Sequence, residues 1–125
     1  MSQALRVLIA DDSAPARCGL RALLITWPEV EVVGLATNGH EAVRLVEEHQ
    51  PDVVLMDLQM PVMGGLQATQ LIKKQWPAVT VVVLTTYATQ QAQASAAGAD
   101  IFLLKGGLPG RLFAALSSVG AGRET

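Results

Sequence analysis

The chain has 125 residues, half of them apolar and 16% charged, a balance that suits one compact domain with its own core and excludes a disordered segment. Eleven acidic residues against nine basic ones leave a net charge of −2, and the basic ones are scattered singly apart from Lys73 and Lys74, which argues against direct nucleic-acid binding. The opening residues MSQALRVLIADD lack the basic start and long apolar run of an export signal, and no segment reaches the length of a membrane span, so a cytoplasmic location with no membrane partner is expected.

Short runs rich in Val, Ile and Leu alternate with segments of helical period, which predicts an α/β fold with a parallel sheet covered by helices on both faces. The first strand is expected over Leu5 to Ala10. A helix over Ala14 to Ile25 follows, with Ser13 as its N-cap, Pro15 in the first turn and Trp27-Pro28 ending it. Val30 to Ala36 forms the second strand. Gly39 to Glu48 is an amphipathic helix with Ala42, Val43 and Val46 on its inner stripe, stopped by Pro51. Val53 to Met56 is the third strand, and Leu66 to Gln75 the next helix, with Leu71 and Ile72 inward and Lys73 and Lys74 outward. The fourth strand runs from Val79 to Leu84 and the fifth from Ile101 to Leu104. Between them, Thr89 to Ala97 (TQQAQASAA) offers no large apolar side chain to dock and is expected to be the loosest element. Pro109 to Val119 supplies the last helix through Leu112, Phe113 and Leu116. The domain is therefore expected over residues 1–119, with the Gly-rich 120–125 as a frayed end or the start of a linker.

In an open parallel sheet ligands bind outside the carboxyl ends of the strands, so the residues that follow each apolar run carry the functional signal. Strand one ends in Asp11 and Asp12, strand three in Asp57, strand four in Thr85 and Thr86, and strand five in Lys105. Carboxylates brought within a few ångströms repel by about 4 kcal/mol per pair at an effective dielectric near 20, and Lys105 offsets only one charge. Such a set calls for a hard cation, and Mg2+ fits because it accepts a few oxygens while keeping several waters. Taken singly, Asp11 and Asp12 would serve as caps for the first helix, Asp57 as a turn residue, Thr86 as a structural hydroxyl and Phe102 as core. The lone Cys18 excludes an internal disulfide and reads as an inert thiol, and His40 and His49 have no partner at metal-site spacing.

Asp11-Asp12, Asp57 within MDLQMPVMGG, Thr85 and Lys105, in this order and at these strand ends, resemble the response-regulator receiver pattern along the whole chain. The LTTY and FLLK contexts are similar to the NarL/LuxR-type branch, which carries a helix-turn-helix output. The resemblance implies a flavodoxin-like, doubly wound, five-stranded parallel sheet of order 2-1-3-4-5. It implies that Asp57 accepts a phosphoryl group from a sensor histidine kinase, and that the domain catalyses its own phosphorylation and dephosphorylation. Asp12, Asp57 and the backbone carbonyl of Gln59 would bind Mg2+, with Asp11 acting through a metal-bound water. Thr85 and Lys105 would meet phosphoryl oxygens, and Phe102 would be the rotating aromatic of the switch. Gln59 and Tyr87 would flank the phosphorus and tune how long the group survives, Tyr87 as a steric shield. A homodimer on phosphorylation, and DNA reached only through a C-terminal output domain, complete the implied partners.

Three departures from that pattern stand out. Gly106 follows Lys105 where many receivers have proline, so a cis peptide is not assumed there. Gly64 stands where an aspartate commonly caps the third helix, and the stretch from Thr85 to Lys105 is about two residues short. Three other classes compete. A Mg2+-dependent aspartyl-phosphate phosphohydrolase would want a second acid two residues after the nucleophile, where Gln59 stands, and a capping insertion. A non-phosphorylated pseudo-receiver, acting as a docking or dimerisation module, would have lost one of the acidic, hydroxyl or lysine positions, and none is lost. A flavin-binding carrier would need a Ser/Thr/Gly-rich phosphate loop in place of DDSAPARC.

Overall fold

The computed structural model describes residues 3–123. β1 (Leu5–Ala10), β2 (Val30–Ala36), β3 (Val53–Asp57), β4 (Thr80–Thr85) and β5 (Ile101–Leu104) form one parallel sheet of order β2-β1-β3-β4-β5. The intervening helices are α1 (Ala14–Leu24), α2 (Gly39–His49), α3 (Gly65–Gln75), α4 (Gln91–Ala96) and α5 (Gly110–Arg123), with 3-10 turns at Ala88–Gln90 and Lys105–Gly107. This is the flavodoxin-like arrangement and strand order expected above. Among the described residues no helix is long and apolar enough to cross a membrane.

The two faces of the sheet carry separate cores. Leu20 and Leu24 of α1 join Leu112 and Leu116 of α5 over Val7, Ile9, Leu55 and Leu84. On the other face Ala42 and Val46 of α2, Ala68 and Ile72 of α3 and Ala94 of α4 cover Leu8, Val54, Met56 and Val83. Every residue of β3 is buried, as a central strand covered twice must be, whereas all of β5 is half-buried at the sheet edge. β2, the other edge, skips a residue against β1 between Val7 and Leu8, where Gly34 leaves room for the Leu8 side chain.

Helix ends follow their cap residues. The Ser13 hydroxyl accepts from the Ala16 N–H at 3.3 Å and Asn38 accepts from the Glu41 N–H at 2.8 Å, while Gly64 begins α3 with no side-chain cap.

Four expectations need correction. β3 and β4 each run one residue later than the apolar pattern suggested, so Asp57 and Thr85 are the last residues of their strands and share their rigidity. Leu71 is 37% exposed, because Ala68, Thr69 and Ile72 form the inner stripe of α3 and Leu71 lies on its flank. The segment 89–97 divides into the end of a 3-10 turn and the six-residue α4, which buries Ala94 alone. Helix α5 continues through Gly120, Ala121 and Gly122 to Arg123, so residues 120–123 are helix and not linker. Each glycine costs about 1 kcal/mol against alanine in a helix, but Val119 packs on the core and anchors the last turns. Residues 124 and 125 lie outside the described residues. The cis peptide of the described chain is Leu108-Pro109, and Lys105-Gly106 is trans.

Candidate functional site

β1, β3 and β4 are neighbours in mid-sheet, so their carboxyl ends open on one crevice. Asp11 leaves β1 still tied to β2, its N–H donating to the Ala36 carbonyl at 3.0 Å. Its side chain is almost wholly enclosed: Oδ1 accepts from the Ser13 N–H and Oδ2 from Lys105 Nζ, each at 2.9 Å. Arg17, one turn into α1, donates from Nη1 to the Asp11 carbonyl at 2.8 Å and fixes the strand end from the helix side.

Asp57 is 6% exposed, with Lys105 Nζ 3.5 Å from its Oδ1 and the Gln59 N–H donating to its carboxylate. Asp12 is exposed, yet its carboxylate and those of Asp11 and Asp57 offer oxygens that all lie within 4.8 Å of one another. That spacing lets the three carboxylates hold one cation. Gly65, the first residue of α3, makes the crowding possible, because a Cβ there would run into the backbone carbonyl of Asp57 and the Leu58 Cα.

Burial holds the Asp57 carboxyl above the ordinary carboxylate range, and the nearby charge of Asp11 adds to it, while Lys105 and the Gln59 N–H pull the other way without prevailing. Burial alone would lower the Lys105 ammonium. Its hydrogen bond to Asp11, and the charges of Asp57 and Asp11, outweigh that and raise it. The cluster is thus a net anion with one embedded cation, an electrostatic cost that a divalent ion would relieve.

Thr85 is fully buried at the end of β4, opposite Leu104 in the β5 register. Its hydroxyl donates to Gln90 Oε1 at 2.5 Å and accepts from the Tyr87 N–H at 3.2 Å. The Tyr87 side chain is 57% exposed, and the Gln59 side chain is exposed as well. Phe102, half-buried on β5 opposite Val83, packs on the core face that contains Ala94. Cys18 and His40 are exposed, and Asp11, Asp12 and Asp57 are the one group of three or more His, Cys or acidic residues among the described residues whose spacing would let them share a metal ion.

The crevice therefore brings together Asp11, Asp12, Asp57 and Lys105, with Thr85 on the adjoining strand end. Sequence reasoning missed Arg17 and Gln90. Each is a polar residue on a helix or turn whose partner lies on a strand end, and no local pattern separates it from a solvated side chain.

A doubly wound sheet with an acidic, lysine-closed crevice and no nucleotide-binding loop defines a narrow class of α/β domain. Within that class the chain belongs to the response regulator receiver domain family, whose model matches residues 7–117. It is 45% identical over 103 residues to the transcriptional regulatory protein YhcZ of Bacillus subtilis, covering 81% of this chain and 48% of that protein. It is 39% identical over 103 residues to the response regulator VraR of Staphylococcus aureus, covering 81% of this chain and 49% of VraR. The chain thus spans about half the length of these curated relatives. Among solved structures, a LuxR-family response regulator from Aurantimonas superposes with a TM-score of 0.89 at 33% identity, over 96% of this chain and 87% of that one. The receiver domain of the NarL response regulator from Mycobacterium tuberculosis gives 0.89 at 30% identity, over 96% and 98%. The relatives place the chain beside LuxR/NarL-type response regulators, and the family is one of regulatory phosphoacceptor domains in two-component systems.

Proposed function

We propose that Asp57 receives the phosphoryl group of a sensor histidine kinase and that the domain passes the change to an output domain that binds DNA. The observation that carries this reading is Lys105 Nζ lying between Asp11, at 2.9 Å, and Asp57, at 3.5 Å, at the rim of a three-carboxylate crevice. In the transfer an Asp57 carboxylate oxygen forms the new O–P bond as the N–P bond of phosphohistidine breaks, and the imidazole leaves with that electron pair. Lys105 follows the transferred charge and pairs with a phosphoryl oxygen, and Thr85 donates its hydroxyl to another. Phosphoryl transfer asks the protein mainly for alignment and charge neutralisation, which suits a nucleophile fixed at the last residue of a wholly buried strand.

Mg2+ suits the site because oxygen donors surround it. Asp12, Asp57 and the Gln59 carbonyl would hold the ion, with Asp11 acting through a water, since both Asp11 oxygens already accept protein hydrogen bonds. Bound there, the ion would neutralise charge on the phosphoryl oxygens. With the same groups the domain would also catalyse its own dephosphorylation. Phe102 would turn into the space that Thr85 vacates, carrying the change towards β5, and a second phosphorylated copy of the chain would be a partner.

Intact-mass measurement after incubation with acetyl phosphate and Mg2+ tests the reading. One added phosphoryl group is expected in the wild type and none in Asp57→Asn. The same added mass in the variant would move the acceptor elsewhere, and no added mass in the wild type would favour a docking module.

A further inference from the structure

We propose that Gln90 is a positioning residue of the switch, holding the Thr85 hydroxyl in its resting orientation and competing for the one proton that the phosphoryl group needs. This rests on the reading of Asp57 as phosphoacceptor and goes beyond it to what restrains Thr85. A threonine has a single O–H to donate, and that of Thr85 is committed to Gln90 Oε1 at 2.5 Å. Thr85 has no exposed surface at rest, and a new acceptor for its proton must displace Gln90.

Gln90 is itself held in place. Its N–H donates to the Tyr87 carbonyl at 3.1 Å, and the Tyr87 N–H donates to Thr85 Oγ1 at 3.2 Å, closing a ring through Thr85, Tyr87 and Gln90. Turning the Thr85 hydroxyl toward a phosphoryl oxygen opens that ring at Gln90. Gln90 is also the residue from which α4 starts, and α4 is six residues long and buries Ala94 alone. Release at Thr85 is therefore felt first at the least anchored helix of the fold.

The test uses the full chain with Gln90→Met, which keeps the side-chain length and removes the acceptor, and Gln90→Glu, which keeps an acceptor oxygen. Three-bond NMR couplings report the Thr85 χ1 rotamer with no ligand present. One rotamer is expected in the wild type and Gln90→Glu, and averaging over rotamers in Gln90→Met. In a second readout, beryllofluoride with Mg2+ serves as a non-covalent phosphoryl mimic. Its apparent affinity should rise about three- to tenfold in Gln90→Met, the equivalent of one hydrogen bond, and this gain should vanish in a Thr85→Ala background. An unchanged Thr85 rotamer in Gln90→Met, or a gain that persists without the Thr85 hydroxyl, overturns the proposal. If the wild type does not bind beryllofluoride, the phosphoacceptor reading fails, and the rotamer measurement alone decides the role of Gln90.

Discussion

The β1–β3 half of the crevice and the β4–β5 half are built to opposite specifications. In the first, Asp11 and Asp57 are buried, β3 is buried along its whole length, the Ser13 and Gln59 N–H groups and Lys105, reaching in from the end of β5, hold the two carboxylates, and Arg17 holds the Asp11 backbone carbonyl. In the second, β5 is half-buried throughout, α4 has one buried alanine, and the Thr85 hydroxyl donates to the Gln90 side chain and accepts from the Tyr87 N–H. Nucleophilic chemistry needs atoms that stay in place, and a switch needs an element with little to lose by moving. The fold grades these demands by strand position, with the proposed acceptor on the central β3, the Thr85 hydroxyl at the end of the buried β4 beside it, and the weakly anchored β5 and α4 towards the edge.

The largest effect should come from Lys105→Met. Removing the one cation leaves the buried Asp11 and Asp57 facing each other, at a cost of about 3 kcal/mol in denaturant unfolding without Mg2+. Adding Asp57→Asn to that variant should recover most of the loss. A loss that survives the second substitution would assign it to packing of the lysine stem and weaken the electrostatic half of the comparison.

Gly65→Ala comes next, at about 2 kcal/mol, because its Cβ would press on the backbone carbonyl of Asp57, the last residue of the buried central strand, and on the Leu58 Cα that follows it. Thermal melting measures it. A substitution of similar volume at Ala92, exposed on α4, should leave stability within about 0.5 kcal/mol. Equal costs at the two positions would erase the distinction between the halves.

The distinction is only partly legible in the amino-acid sequence. The strand-end residues Asp11, Asp57, Thr85 and Lys105 could be found because hydrophobic runs mark where strands stop, and a parallel sheet gathers those ends at one edge. The weakness of α4 could also be read, since TQQAQASAA has nothing large to bury. What could not be read were contacts that depend on the angle at which a helix or turn approaches the sheet: Arg17 on the Asp11 carbonyl, Gln90 on Thr85, and the approach of α3 at Gly65. The overextension of the last helix past Val119 escaped for a different reason. Glycine propensity is a small local term, and docking of Val119 on the core overrides it.

A smaller effect follows from Asp57 alone. Its carboxyl is held above the ordinary range, so the folded state favours the protonated form. Its contribution to stability is then greatest below the unfolded-state value and is lost as pH rises through the folded-state value. In chelator, Asp57→Asn should unfold at higher denaturant than the wild type near neutral pH, with the difference shrinking under acid. A variant less stable at neutral pH would mean that Lys105 compensates the buried charge fully.

The subtlest expected change is kinetic. On the proposal that Tyr87 shields the approach to phospho-Asp57, Tyr87→Ala should shorten the lifetime of that species while leaving its formation possible, since blocking the in-line path would outweigh the single hydrogen bond of about 1 kcal/mol by which Gln59 could orient a water. Decay followed by intact mass under identical Mg2+ checks it, and equal or slower decay would remove Tyr87 as a shield.

Hydrogen exchange, read residue by residue with and without beryllofluoride and Mg2+, tests the division between the two halves most directly. Amides from Thr85 through Leu104 should change protection most, starting from fast exchange in α4, while β1, β2 and the interior of β3 stay as protected as before. Changes spread evenly over the sheet, or α4 as protected at rest as the central strands, would contradict a fixed acceptor half serving a mobile edge.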